Sequence, residues 1–294
     1  MGSLEGRVAA ITGAGRGIGR EHALLFASEG AKVVVNDLGA AGDGAGADAS
    51  AAQAVVDEIK SGGGEAVAHT GDISTWDGSA SLVAATVDSF GRLDVLVNNA
   101  GILRDTFLAS MSEAEWDAVI QVHLKGHFLG MRHAAEHFKQ RSKAGEEVKG
   151  SIINTASASG TYLPNPGQVN YGAAKAGIAA MSLVAAQELS RYGVRVNAIA
   201  PAARTRLTED VPMIGEMMKA PEDPDALDAF DPAQVSPLVA HLASAGCSIT
   251  GKLFAVQGGL IAECDNWRVG KQFTTEGAWS IDSVTEALGV TTAA

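Results

Sequence analysis

The stretch Tyr171-Gly-Ala-Ala-Lys175 sets a phenol and an ammonium four positions apart, which on a helix places them on one face. A tyrosine ordinarily titrates at about 10, and a neighbouring cation favours the phenolate and lowers that value. A phenol tuned in this way is a general acid/base for exchanging a proton with an alcohol or ketone oxygen. Two hydroxyls, Ser157 and Ser159, lie upstream just after an apolar run, and either is placed to hold the substrate oxygen. A lone Tyr-x-x-x-Lys pair arises by chance on many helices. The chemistry therefore needs a second component, something to take or give the electrons.

That component has its own signature near the N-terminus, where Ala9–Gly19 reads AAITGAGRGIG. An apolar strand runs into a glycine loop that opens a helix. Glycine weakens regular elements, so its recurrence here signals tight turning and close backbone approach. A helix N-terminus presents free N–H groups and positive dipole to a pyrophosphate. The spacing G-x-G-x-x-G fails, because its last position falls on Ile18; T-G-x-x-x-G-x-G fits, with Thr12, Gly13, Gly17 and Gly19. Gly13, Arg16, Gly17, Ile18 and Gly19 are thus read as a dinucleotide cradle. Asp37 ends the next strand, where a carboxylate accepts hydrogen bonds from ribose hydroxyls and repels a 2′-phosphate. The cofactor expected is NAD rather than NADP, although Arg16 in the loop pulls the other way. Asp72 and Ile73 follow the third strand and are placed to flank the adenine, or Asp72 caps a helix.

These residues need a frame. Strand-like runs occur at Val8–Thr12, Lys32–Asn36, Ala66–His69, Val95–Asn98, Ser151–Thr155, Arg195–Ala200 and Leu253–Val256. They are near-continuously apolar, as strands buried on both faces are. Helical spacing marks Arg20–Ser28, Ser50–Lys60, a long helix opened by the Ser112/Glu115 capping box and running through Val119, Val122 and Phe128, and another from Tyr171 to about Arg191. The alternation predicts an α/β fold: one doubly wound parallel sheet with helices on both faces. Residues 1–262 are read as this domain, with 207–232 covering the substrate through Met213 and Met217, since methionine packs adaptably. Residues 263–294 are read as a C-terminal extension packed on the same domain. The net charge of −12 over 294 residues argues against nucleic acid and anionic membrane as partners. Two cysteines, Cys247 and Cys264, make no disulfide framework, and no signal-peptide run opens the chain. A cytoplasmic protein is expected. The pairs His123/His127 and His133/His137 have a spacing that can bind metal, but no H-E-x-x-H accompanies them and no metal is expected.

Thr12-Gly-Ala-Gly-Arg-Gly-Ile-Gly19, Asn98-Asn-Ala-Gly101, Ser157 and Tyr171-Gly-Ala-Ala-Lys175 occur in that order. Together, from about Gly6 to Gly259, the chain resembles the short-chain dehydrogenase/reductase family. The resemblance implies a seven-stranded Rossmann-type sheet and hydride transfer at nicotinamide. It implies Tyr171 as acid/base, Lys175 as the group that lowers its pKa and holds the nicotinamide ribose, and Ser157 rather than Ser159 as the orienting hydroxyl. Asn99, Ala100 and Gly101 then border the cofactor, and Pro201 and Thr205 lie near the nicotinamide. There are two departures: His123 stands where the family often has an asparagine of the proton relay, and Pro201-Ala202 replaces Pro-Gly. The Ser157–Tyr171 separation is also one residue longer than usual, with Pro164 and Pro166 between. VVVNDLG with its glycine-rich insertion, NNAGILRD, VHLKGHF and GQVNYGAAKAGI are similar to the (3R)-hydroxyacyl-CoA dehydrogenase unit of multifunctional β-oxidation enzymes and to bacterial 17β-hydroxysteroid dehydrogenases. That implies a bulky secondary alcohol or ketone, on an acyl-CoA or a steroid, and a homo-oligomer, dimer or tetramer. The rival readings are an NADPH-dependent 3-ketoacyl reductase and, outside enzymes, a nicotinamide-binding sensor or scaffold.

Overall fold

The computed structural model describes residues 2–46, 48–205, 216, 218–223, 226–265 and 267–289. Seven strands run parallel: β1 Val8–Thr12, β2 Lys32–Asn36, β3 Glu65–His69, β4 Val95–Asn98, β5 Gly150–Thr155, β6 Val194–Pro201 and β7 Leu253–Gln257. An eighth, β8 Leu260–Cys264, folds back antiparallel on β7. The order is β3-β2-β1-β4-β5-β6-β7-β8, a Rossmann-type sheet with one strand more than expected. Gln257 pairs with Leu260, so Gly258-Gly259 is a two-residue hairpin, and Gly259 takes the positive φ of 75° that such turns demand. The first compact unit therefore runs through Cys264. Residues 265–294 form a second, small unit.

Alternation along each strand divides the core in two. Ala9, Ile11, Val33, Val35, Val95, Val97 and Ile153 face one layer with Phe26, Val55, Val56, Val239 and Leu242. Ala10, Val34, Leu96 and Ile152 face the other with Leu82, Phe138 and Leu189. Helices α1 Gly17–Ser28, α2 Ser50–Ser61 and, later in the chain, Ser236–Ala243 supply the first layer. Helices α3 Trp76–Phe90, α5 Gly126–Lys143 and α6 Val169–Leu189 supply the second, with α4, Glu113–Val119, preceding α5. In chain order Ser236–Ala243 is α7, and α8 is Ile281–Leu288 in the second unit. Both sheet faces are dry, which is why the strands lack polar alternation. Each fully buried Val, Leu, Ile or Phe contributes about 1.5–3 kcal/mol of transfer free energy.

The capping box opens α4: Ser112 accepts from the Glu115 amide and Glu115 from the Ser112 amide. The single long helix read there is interrupted, because Ile120–Lys125 winds as a π-helix before α5 begins. Such widened turns re-aim side chains and gather at functional sites.

Candidate active site

From β1 the chain builds the sheet outward through β2 and β3; from β4 it builds the opposite way. The crevice between the C-terminal ends of β1 and β4 is the topological switch point, where doubly wound sheets bind ligands. The glycine loop lies there. Gly13 has φ 63°, and a Cβ on it would stand 2.7 Å from Ala100 Cα. A Cβ on Gly19 would stand 2.2 Å from the Gly13 carbonyl oxygen and 2.6 Å from Asn99 Nδ2. Asn99 staples the loop to β4: its amide donates to Thr12 Oγ1 at 2.9 Å, and its Nδ2 donates to the Thr12 and Gly13 carbonyls at 3.2 Å each. The Ala100 amide also donates to Thr12 Oγ1, at 3.1 Å. Arg16 precedes α1 without a side-chain cap, so the first N–H groups of that helix remain available to an anion. Ile18 packs from α1 onto the first core layer. The cradle fits a dinucleotide pyrophosphate on its own geometry.

Asp37 stands at the loop with one carboxylate oxygen accepting from Gly15 N at 2.8 Å and the other from Gly39 N at 2.7 Å. Arg16 faces away to Asp48 of the glycine-rich insertion, 3.9 Å distant. That insertion docks on the loop after β4: Leu103 N donates to Gly42 O at 3.0 Å and Arg104 Nε to Asp43 O at 2.9 Å. Asp72 accepts from Ser74 N in a local turn, and the cap of α3 is Thr75 instead. Ile73 is buried in the second core layer. After β6, which ends in Pro201, the Thr205 methyl lies 3.4 Å from where a Gly17 Cβ would be. Met213 and Met217 lie outside the described residues. The described ends of their segment are joined by Arg204, which donates to Met218 O and pairs with Asp228.

Ser157, Tyr171 and Lys175 converge at the same edge, from the loop after β5 and the first turns of α6. The Ser157 hydroxyl is close enough to the Tyr171 phenol to favour its ionised form, and it accepts from Ser159 N at 3.2 Å. Ser159 Oγ itself is buried without a partner. Lys175 is 2% exposed and donates to Thr155 O at 2.5 Å, with Nζ 5.4 Å from the Tyr171 ring centre. Burial pushes Lys175 down to about 7. It pushes Tyr171 up to about 12, reinforced by the Asp105 carboxylate and opposed by the Ser157 hydroxyl. This departs from the expected lowering by Lys175: loss of water around the phenol governs its ionisation.

Asn170 fixes the pair from behind. Its Nδ2 donates to Arg104 O and Glu115 O, and its Oδ1 accepts from Tyr171 N. His123, in the π-helical turn, stands edge-on to Tyr171 with ring centres 5.1 Å apart. Its Nε2 meets both Ile102 N, at 3.0 Å, and Ile102 O, at 2.8 Å. A Cβ on Gly101 would stand 2.3 Å from His123 Cε1, so glycine is required for the ring to fit. Asn170 and Asp105 were missed in the sequence; only their adjacency to Tyr171 and to NNAGILR marked them. His133 stands edge-on to Trp76 and His137 accepts from Leu93 N. Among the described residues no group of three or more His, Cys, Asp or Glu could hold a metal. None of their helices is long and apolar enough to cross a membrane.

The profile of the short chain dehydrogenase family matches residues 7–212. A crystal structure of a short chain dehydrogenase from Mycobacterium avium superimposes with a TM-score of 0.85 at 50% identity, covering 98% of this chain and 96% of that one. The hydroxyacyl-CoA dehydrogenase ChsB1 of Mycobacterium tuberculosis is 43% identical, over 97% of this chain and 88% of its own length. The peroxisomal multifunctional enzyme type 2 of Mus musculus is also 43% identical, over 88% of this chain but only 33% of its own length.

Proposed function

The chain belongs to the short chain dehydrogenase family as an oxidoreductase of CH–OH groups, and we propose that it interconverts a 3-hydroxyacyl-CoA and its 3-keto form with NAD. One observation carries the reading: the Tyr171 phenol, Ser157 hydroxyl and Lys175 ammonium converge beside a glycine cradle at the C-terminal edge of the sheet. The cradle of Gly13, Arg16, Gly17, Ile18 and Gly19, with Asp37, Asp72, Ile73, Asn99, Ala100, Gly101, Pro201 and Thr205 around it, would hold the dinucleotide. When bound, the nicotinamide supplies a hydride acceptor for the carbinol carbon. Ser157 donates a hydrogen bond to the substrate oxygen, and Tyr171 removes its proton during oxidation and returns one during reduction. Lys175, within the low-dielectric interior, stabilises the phenolate that results. Asn170 and His123 hold the phenol in place.

The choice of NAD rests on Asp37. Its carboxylate is already oriented by two backbone donors, leaving lone pairs for ribose hydroxyls and an unfavourable field for a 2′-phosphate. The acyl-CoA assignment is supported by the name of the relative ChsB1 and by an apolar rim: Phe107 and Leu108 on one loop, Tyr162 and Leu163 on the other, are all more than half exposed. The two loops are tied by Thr106 N donating to Gly167 O. The same rim suits a hydroxysteroid, the second reading. Following NADH fluorescence across 3-hydroxyacyl-CoA thioesters and hydroxysteroids, with NAD and NADP in parallel, separates the two. Turnover of steroids alone, or with NADP alone, would replace the assignment.

A further inference from the structure

Residues 101–107 form neither helix nor strand, yet they bear on Tyr171 from two sides. Ile102 holds the His123 ring that stands edge-on to the phenol. The Arg104 carbonyl accepts from Asn170 Nδ2 at 2.9 Å, and Asn170 Oδ1 accepts from Tyr171 N at 2.7 Å. The seam continues toward the start of α6: Gln168 Nε2 donates to Asp105 Oδ2 at 2.7 Å, and Thr106 N donates to Gly167 O at 2.9 Å. An irregular segment has no ladder of its own, so its polar groups must find partners elsewhere. The glycine-rich insertion after β2 supplies them. Leu103 N donates to Gly42 O at 3.0 Å, and Arg104 Nε donates to Asp43 O at 2.9 Å. Gly44, with φ 89°, turns the insertion onto Ile102; a Cβ on it would stand 3.2 Å from Ile102 Cδ1. The base of the insertion is closed by Asp48 N donating to Leu38 O at 3.1 Å and by Gly39 N on the Asp37 carboxylate.

We propose that Arg104 is a positioning residue for Tyr171. Its guanidinium is seated on the insertion, its own carbonyl seats Asn170, and Asn170 holds the Tyr171 backbone. The proposal rests on reading Tyr171 as the acid/base. A charge-assisted bond such as that of Arg104 is roughly twice as strong as a neutral one, which suits the one residue asked to hold in both directions. Its acceptor is a backbone carbonyl, so the joint depends on the path of the insertion rather than on its side chains, and the glycines set that path. Loss of the joint leaves the carbonyl under Asn170 loosely placed. Misplacement of a reacting group by about 1 Å costs up to about 10² in rate, and it does so without removing any contact to substrate or cofactor.

The test joins NMR of the cofactor-free protein to steady-state kinetics. The chain has 3 tyrosines, Tyr162, Tyr171 and Tyr192, so ring-¹³C labelling gives few signals, and Tyr171→Phe identifies its own by loss. Arg104→Met keeps the apolar stem and removes the donor. It should move the Tyr171 signal while that of Tyr192 stays, and lower kcat about tenfold. The KM for substrate and the NADH dissociation constant should stay within about twofold of wild type. Arg104→Lys, which can still donate to Asp43 O, should recover most of the loss. Gly44→Ala leaves the arginine in place and strains the turn that seats the insertion, and it should repeat the pattern. The loss in kcat should be equal on 3-hydroxydecanoyl-CoA and on the N-acetylcysteamine thioester of the same acyl group, which lacks the CoA phosphates. A loss confined to the KM of the CoA ester would assign Arg104 to those phosphates and overturn the proposal. So would a fall in thermal stability with the Tyr171 signal and kcat unchanged. Failure of the acid/base reading has a separate sign, turnover retained in Tyr171→Phe.

Discussion

At Tyr171 two demands oppose each other. The phenol must be out of water to meet an apolar substrate, and being out of water raises its pKa to about 12. Oxidation needs the phenolate, so it must be favoured by charges close enough to act through the interior. Lys175 is at hand, but its own ionisation is pushed down to about 7 by the same burial. Tyr171→Phe removes the proton carrier while keeping the ring against His123. Turnover should fall by about 10²- to 10⁴-fold in steady-state assays, with the NADH dissociation constant within about twofold of wild type. Undiminished turnover would remove Tyr171 from the mechanism. Asp37 presents the complementary case, because its two oxygens are fixed by Gly15 N and Gly39 N rather than by a neighbouring cation. Asp37→Ala should lower the preference for NAD over NADP by about tenfold or more, the worth of one hydrogen bond to a charged group. Fluorescence titration with both nucleotides measures it, and an unaltered ratio would assign the discrimination elsewhere.

Helix α1 couples the cradle to the core. Its N-terminus faces the pyrophosphate site, while His22, 0% exposed, bonds Ser236 of α7 through Nδ1 at 2.8 Å. Burial brings His22 down to about 3, against an ordinary 6.5. Between those values the unfolded chain binds a proton that the folded one refuses. Stability is therefore full above about pH 6.5 and falls as pH drops toward 3, by about 1.4 kcal/mol per pH unit for this imidazole. His22→Asn, which retains a partner for Ser236, should flatten the slope of urea-unfolding free energy by that amount between about pH 6 and 4. An identical slope would show that the imidazole titrates normally. Much of this element structure was legible in the sequence, because strands dry on both faces leave uninterrupted apolar runs and the Ser112/Glu115 box marks a helix start. The π-helical turn was not, since its residues, IQVHLK, have the periodicity of an ordinary helix. Helix α3, rich in Ala, Ser and Val, carries too weak an apolar periodicity to mark it in the sequence. Strand β8 was hidden because Gly258-Gly259 reads equally as the end of a domain and as a hairpin. In the site, the residue types that do chemistry could be named from spacing, whereas the direction of the Tyr171 shift depended on burial that no spacing reveals.

The molecule as a whole has two unlike ends. At the C-terminal edge of the strands lie the glycine loop, Tyr171 and loops that must accept ligands. At the opposite edge a charge network locks the layers. Asp94, at the foot of β4, accepts from Val8 N at 3.0 Å, Arg92 Nε at 2.8 Å and Arg141 Nη1 at 3.3 Å. Arg7, 5% exposed, donates to Lys149 O at 2.6 Å and Ala243 O at 2.9 Å, joining the feet of β1 and β5 to the end of α7. Burial lowers Arg7 to about 10, and Asp94 opposes that shift. A buried pair replaced by apolar groups can be neutral for stability, but removal of one member strands the other charge. Asp94→Ala should thus cost about 3–5 kcal/mol in urea unfolding, because it leaves the Val8 amide, Arg92 and Arg141 without their carboxylate acceptor and Arg7 without a nearby opposite charge. The folded fraction should retain wild-type KM and kcat, since the change lies at the sheet edge remote from Tyr171. A loss below about 1 kcal/mol, the range of exposed pairs, would mean that water replaces the carboxylate and that the backbone bonds of Arg7 alone hold this end together.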